Sequence, residues 1–359
     1  MSGTSLDGVD AVLVTFEGDR PSSRAHVHQP FPRDLRDELL ALNSPGDNEV
    51  DRAALAGNAL ARHYADAVAA LLQRAGLAAH DVEAVGCHGQ TIRHRPDRGY
   101  TVQIGNAALL AELAGIRVVS DFRSRDVAAG GQGAPLAPAF HAAVFGSPDE
   151  DRAILNLGGI ANLTFLRRDA SVGAGFDTGP ASCLMDLWAS RHLGQPYDAE
   201  GAWAAGGRVL PPLLDRLLAD PYFALPPPKS TGRDLFNAAW LDRALQGGES
   251  PRDVQATLLE LTARTVAEAL RRHFPQGRRL LACGGGTRNG ALMSRISAAV
   301  HPMALETTSA HGIDPQHVEA AAFAWLARQT LLGRTGNLPT VTGARGLRQL
   351  GTLTPPNTP

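Results

Sequence analysis

Sulfhydryl chemistry is scarce in this chain: Cys87, Cys183 and Cys283 are its three cysteines, widely spaced and without a Cys-x-x-Cys pair. An odd, scattered set argues against a disulfide framework or a zinc site. Each lies in or after an apolar run, so buried free thiols in a reducing cytoplasm are expected. An excess of one charge is lacking too. Lys and Arg number 34 against 36 Asp and Glu, a net charge of −2, which implies no basic surface for nucleic acid or anionic lipid. No apolar run is long enough to span a membrane, and no signal peptide is legible. What is present is core: 359 residues at 44% hydrophobic content suffice for two domains.

The chain opens on a loop of glycines, hydroxyls and carboxylates: Ser2, Gly3, Thr4, Ser5, Leu6, Asp7, Gly8, Val9 and Asp10. Gly3 and Gly8 let backbone N–H groups approach an anion, Thr4 and Ser5 can donate to phosphate oxygens, and Asp7 or Asp10 can hold a hydrated Mg²⁺. A flexible N-terminal turn is the plain alternative. Residues 9–16 are apolar and β-prone, so the loop sits between strands. That excludes the Walker A arrangement, which opens a helix, and points to the actin/hexokinase/Hsp70 type of nucleotide domain. Such a hairpin needs a strand ahead of its turn, yet only Met1 and Ser2 precede Gly3. The expectation is a first strand missing from this chain, through a misplaced start or a real truncation.

Further along, β-type runs alternate with Ala/Leu-rich stretches, which favours an α/β fold. The pattern predicts a helix over 50–75, strands over 82–87 and 102–104, and a helix over 107–114 capped by Asn106. A second hairpin is expected over 153–166, turning at Gly158 and Gly159, and its likeness to the first suggests one copy per domain. A long amphipathic helix over 258–273 precedes a buried strand over 280–283, which ends at Gly284, Gly285 and Gly286. Asp314 and Pro315 read as the start of an alanine-rich helix over 316–332. The prolines at 226–228 and the tail after Gly351 read as a loop and an unstructured end.

Several segments could carry chemistry. Three glycines ahead of Asn289 and a helix permit close approach of a flat or anionic ligand. Asp177, in Phe-Asp-Thr-Gly-Pro, is either a general base held by a tight turn or the N-cap of a helix over 181–192. His88, Gln90 and Thr91 suit recognition of hydroxyls or amides better than metal binding, because Mg²⁺ disfavours imidazole. Asp121, Arg123 and Arg125 alternate, so an extended chain would put them on one face, fit for a carboxylate-bearing polyol or for a surface ion-pair ladder. Glu319 among alanines would be a costly buried carboxylate unless it faces a cleft.

Together these segments resemble one family. MSGTSLDGVDAVLV (1–14), GCHGQTIRH (86–94), DFRSRDVAAGGQGAPLAP (121–138), NLGGIANLT (156–164), GFDTGPASCLMD (175–186), STGRDLFNAAWL (230–241), LACGGGTRNGALM (281–293), GIDPQHVEAAAFAWLA (312–327) and NLPTVTGA (337–344) are similar, in order, to the bacterial 1,6-anhydro-N-acetylmuramic acid kinases of the hexokinase/Hsp70/actin superfamily. The resemblance implies a two-domain, actin-like (ribonuclease H-like) α/β fold with a central interdomain cleft. The domains would be 1–150 with 315–359, and 151–314. It implies a cytoplasmic enzyme that opens an anhydro ring and phosphorylates O6, using ATP and Mg²⁺ on a small-molecule substrate, with room for a homodimer. Asp177 would be the base. Residues 3–10, Gly158, Gly159, Gly284, Gly285, Gly286 and Asn289 would hold ATP, with Asp7 reaching Mg²⁺ through water. His88, Gln90, Thr91, Asp121, Arg123 and Glu319 would face the sugar. Members of the family carry a short apolar strand ahead of the first loop, and this chain departs from them there. A kinase of simple amino sugars would use the same loops. A nucleotide-dependent switch would need a partner-binding segment that is not evident.

Overall fold

The structure, a computed structural model, describes residues 1–3, 6–169 and 171–356, so the readings placed on Thr4 and Ser5 lie outside the described residues. It is a mixed α/β chain whose contacts divide it into two compact units, Met1–Val144 with His317–Pro359, and Phe145–Gln316.

In the first unit, β1 (Gly8–Glu17) and β2 (Arg20–Pro30) form a long antiparallel hairpin, Gly8 opposite Pro30. Gly8 is glycine because a Cβ there would run into the Gln29 carbonyl and lie 2.8 Å from Pro30 Cα. Its need is close strand packing, independent of any ligand. On the other edge of β1, the Met1 amine donates to the Asp10 carbonyl (2.8 Å) and the Asp10 N–H to the Met1 carbonyl (2.9 Å). An apolar cavity of about 530 Å³, lined by Val12, Val14, Leu71 and Val85, runs beside that edge. The helix Glu49–Ala75 buries Leu60, Ala61, Tyr64 and Ala67 in the core beneath the hairpin.

The rest of this unit is a three-stranded sheet and a small hairpin. β3 (Val85–Gly86) is shorter than the strand expected over 82–87: residues 82–84, after a 3₁₀ turn at Ala79–Asp81, do not join the sheet. β4 (Gln90–Arg95) pairs with β5 (Tyr100–Ile104), and β6 (Val118–Ser120) pairs with β3. Asn106 caps the helix Ala107–Ala114 as its sequence implies, its side chain accepting from Leu109 N–H at 3.0 Å. Contrary to the expectation of an unstructured end after Gly351, Thr352–Thr354 pairs antiparallel with β6, which the polar composition there does not advertise.

The second unit is built on one sheet of five strands. β7 (Arg152–Leu157), β8 (Ile160–Leu166) and β9 (Val172–Pro180) form an antiparallel meander, and β10 (Arg279–Cys283) runs parallel to β7 and to β11 (Ala304–Thr307). The long helix starts at Pro251 rather than at 258 and runs to His273. It is buried on most of its surface rather than amphipathic, so its threonine hydroxyls turn inward: Thr257 bonds the Asp253 carbonyl at 2.7 Å and Thr262 that of Pro180 at 2.9 Å.

Candidate active site

Asp177 sits inside β9 opposite Asn162 of β8, not in a tight turn. Asn162 Nδ2 donates to Oδ1 and Thr231 N–H to Oδ2, both at 2.9 Å. The main chain of Asp177 is held as firmly, its N–H bonding the Lys229 carbonyl at 3.1 Å and its carbonyl accepting the Tyr222 hydroxyl at 2.7 Å. Burial raises the carboxyl above its ordinary value, while Asn162 and Thr231 pull it partway back. The helix-cap alternative fails on geometry: the following helix is Ser182–Leu193, its cap position is Ala181, and no side chain caps it. A half-buried carboxylate held by neutral donors can accept a proton from water or a hydroxyl.

Strand alternation puts Phe176 and Thr178 on the opposite face of β9, in a small cavity with Lys229, Arg272 and His273. On the helix Ser182–Leu193, Asp186 is raised by burial, which Ser182 and Arg233 oppose. The Arg233 guanidinium also lies over the second glycine turn, 3.7 Å from where a Gly159 Cβ would stand. Asn162 and Thr231 are polar partners of Asp177 that the motifs contained without marking, because nothing local distinguishes an Asn facing Asp177 from one facing solvent.

Two glycine loops meet at one end of the sheet, where Cys283 of β10 lies beside Asn156 of β7. Gly284 has φ +86°, and a Cβ on it would be 2.5 Å from Asn156 Oδ1. One on Gly286 would be 2.7 Å from Leu157 Cβ. Both are thus required by packing. Gly285 differs, since a Cβ there would meet only Gln316 Oε1 at 3.9 Å, and it is exposed. Asn289 caps the helix Gly290–Val300 by accepting Leu292 N–H at 2.9 Å. Its side-chain oxygen is therefore committed to the helix.

In the first unit, Leu6 is buried at φ 53°, a strained conformation for a side-chain-bearing residue and the one the loop needs to turn into β1. Val9 is buried core and Asp7 is exposed. Asp10 does not have the open carboxylate that Mg²⁺ would want. Burial would raise it, but hydrogen bonds from His26 (2.9 Å) and His28 (3.1 Å) hold it below its ordinary value. Gln90 is buried and donates to the Gly3 carbonyl at 3.2 Å, while its Oε1 has no partner among the described residues. Thr91 accepts from Gln103 at 3.1 Å.

His88 and Arg123 come together. His88 Nδ1 donates to the Gly89 carbonyl (2.8 Å), so Nε2 is an acceptor, and both Arg123 Nε (3.1 Å) and Nη2 (2.8 Å) point at it. Burial, with Arg123 beside it, pushes His88 down to about 3, so the ring is neutral. Burial lowers Arg123 to about 10, against the pull of Glu319. The expected alternation of Asp121, Arg123 and Arg125 on one face does not occur. Asp121 turns at φ 54° and Ser124–Ala128 is a helix, so the three side chains diverge. Glu319 is exposed on the helix Val318–Leu331 rather than buried. That helix begins later than expected because Asp314 takes the Gln316 N–H (2.8 Å) in a local turn.

A family profile described as anhydro-N-acetylmuramic acid kinase matches residues 1–356. The chain belongs to the anhydro-N-acetylmuramic acid kinase family. Proteins of that name from Bordetella petrii (59% identical over 362 residues, 99% of this chain and 95% of the relative) and Cupriavidus pinatubonensis (56% over 363 residues, 99% and 97%) are similar along their whole length. That from Nitrosospira multiformis is 54% identical over 357 residues, again 99% and 97%. Among solved structures, a chain of the PilM-PilN type IV pilus biogenesis complex matches at a TM-score of 0.47 and 14% identity, over 89% of this chain and 95% of that one. The protein is therefore an enzyme and a kinase, which implies ATP as phosphoryl donor. Among the described residues, no helix is long and apolar enough to cross a membrane.

Proposed function

We propose that this kinase opens the 1,6-anhydro ring of anhydro-N-acetylmuramic acid with water and transfers the γ-phosphoryl of ATP to O6, giving N-acetylmuramic acid 6-phosphate and ADP. The observation that carries the reading is the setting of Asp177: both carboxylate oxygens are oriented by neutral donors, and burial makes the group more basic than an ordinary aspartate. Asp177 takes a proton from water as the water oxygen bonds C1. The C1–O6 bond breaks, and O6 attacks the γ-phosphoryl as ADP leaves.

The nucleotide reading draws on the first loop and on Gly158, Gly159 and the open backbone at Gly285, with Arg233 supplying positive charge over the glycine turn. Asp7, exposed at the first loop, is the oxygen donor best suited to a hydrated Mg²⁺, which would neutralise charge on the phosphates. On the sugar side, His88, Gln90, Thr91, Asp121, Arg123 and Glu319 are assigned to binding, Arg123 for the lactyl carboxylate. We further propose that the two units are the two nucleotide-type domains, and that the enzyme works in the cytoplasm in peptidoglycan recycling.

Turnover in ¹⁸O-water tests this. Label should enter C1 of the product and none should enter the phosphate. Phosphorylation of N-acetylglucosamine with no turnover of the anhydrosugar would overturn the reading in favour of a simple amino-sugar kinase.

A further inference from the structure

The 34 basic residues of this chain are 33 arginines and one lysine, Lys229. That lysine lies in the cluster that holds Asp177. Its Nζ donates to the Tyr222 carbonyl (3.1 Å), approaches that of Phe223 (3.5 Å), and stands 4.6 Å from the centre of the Tyr222 ring. Both segments it joins grip Asp177. From the helix Pro221–Ala224, the Tyr222 hydroxyl donates to the Asp177 carbonyl. On the other side, the Lys229 carbonyl accepts the Asp177 N–H, and two residues later Thr231 N–H donates to Oδ2.

We propose that Lys229 is a positioning residue for Asp177: its ammonium ties residues 221–224 to residues 229–231, so that Thr231 N–H stays on the carboxylate. The inference rests on reading Asp177 as the base. The geometry suits an ammonium in particular. Three donors diverging from one nitrogen can meet two successive carbonyls while the charge rests on the ring face. A planar guanidinium stacked on that ring sends its N–H groups sideways, away from carbonyls on the same side. The arrangement thus supplies a reason for lysine at this one place in an arginine-rich chain. The 225–228 segment between the two clamps contains three prolines, which limits its freedom without fixing its ends.

The charged and titratable groups around the cluster are Tyr222 on its short helix and Glu268, Arg272 and His273 on the helix Pro251–His273. Burial lowers Lys229, and Arg272 lowers it further. The role proposed for Lys229 rests on where its ammonium sits, between the two carbonyls and the Tyr222 ring.

The test compares Lys229→Arg, Lys229→Met and Asp177→Asn in kcat, KM and the pH profile of kcat/KM. Positioning predicts that both Lys229 variants lose about 10- to 100-fold in kcat while KM for the sugar changes less than about twofold. It also predicts that their acid limb moves to higher pH, because a carboxylate that loses Thr231 N–H binds its proton more tightly. A merely structural lysine would lower activity with the acid limb unmoved. Should the variants fold poorly by circular dichroism, acetylation of the native protein serves, since Lys229 is its one ε-amine. Turnover should fall in step with acetylation at Lys229, located by peptide mass. Wild-type kcat in Lys229→Arg, or full turnover after Lys229 is acetylated, overturns the proposal while Asp177→Asn remains inactive. If Asp177→Asn itself keeps turnover, the base reading and this inference fall together.

Discussion

Arg123 directs two N–H groups, from Nε and Nη2, at a single ring nitrogen of His88, and a third, from Nη1, at the Gly133 carbonyl (2.7 Å). A guanidinium fork usually meets a carboxylate, which would cancel its charge. Here the acceptor is a neutral imidazole, itself held by the Gly89 carbonyl and packed on Phe323 at 4.6 Å between ring centres. The arginine is oriented without being neutralised by that partner, which suits a group meant to meet an anion.

His88→Glu should therefore raise KM for the lactyl-bearing anhydrosugar by about 10-fold, some 1.4 kcal/mol of lost binding. KM for the analogue without the carboxylate should hardly move. Steady-state kinetics on the two sugars check this. Equal losses on both would show that His88 does not act by directing Arg123 at the carboxylate.

Asp177→Asn should leave ATP and sugar binding within a few-fold and reduce turnover by about 10²- to 10⁴-fold, since the amide keeps the shape but cannot take the proton. Calorimetric binding and single-turnover assays separate the two effects. Near-normal turnover would remove Asp177 from the chemistry.

The pH dependence has a definite sign. Burial raises Asp177 in the folded protein, so the active, ionised form is lost as pH falls through a value above the ordinary aspartate figure of about 3.9. The same shift makes ionised Asp177 a cost to folding above that pH, and the cost is relieved as pH falls through the folded value. An acid limb of kcat/KM at or below about 3.9 would contradict the burial argument.

The three glycines at 284–286 should separate on substitution. Gly284→Ala forces a side chain into left-handed backbone against Asn156 and should cost about 1–3 kcal/mol of stability. Gly285→Ala should keep its melting temperature and weaken ATP binding. If both bind ATP like the parent, the adenosine assignment for this loop is wrong.

Asp126 has no exposure, and it accepts from Gly133 N–H (2.8 Å), Asn337 (2.7 Å) and the Thr342 hydroxyl (2.8 Å). Asp126→Ala strands all three donors, so a loss of about 3 kcal/mol is expected, or roughly 6–12 °C in melting temperature. Calorimetry of the variant reads it directly.

By itself the sequence determined the local pieces: the first hairpin strand, the Gly158–Gly159 turn, the Asn106 cap and the strand ending at Gly284. Those follow from neighbours within a few residues, where side-chain periodicity, glycine and capping chemistry act. It also carried the family, because long ordered motifs specify more than any single loop can. Only the tertiary structure decided which partners each polar group meets. Asp177 is a held carboxylate rather than a helix cap because Thr231, 54 residues away, reaches it. Arg123 faces His88 because a left-handed turn at Asp121 and a short helix break the extended run that its spacing suggests. Asp10 is taken by two histidines across the hairpin, and Glu319 lies on the exposed side of its helix. Burial and hydrogen-bond partners belong to three-dimensional neighbours, and chain order does not encode them position by position.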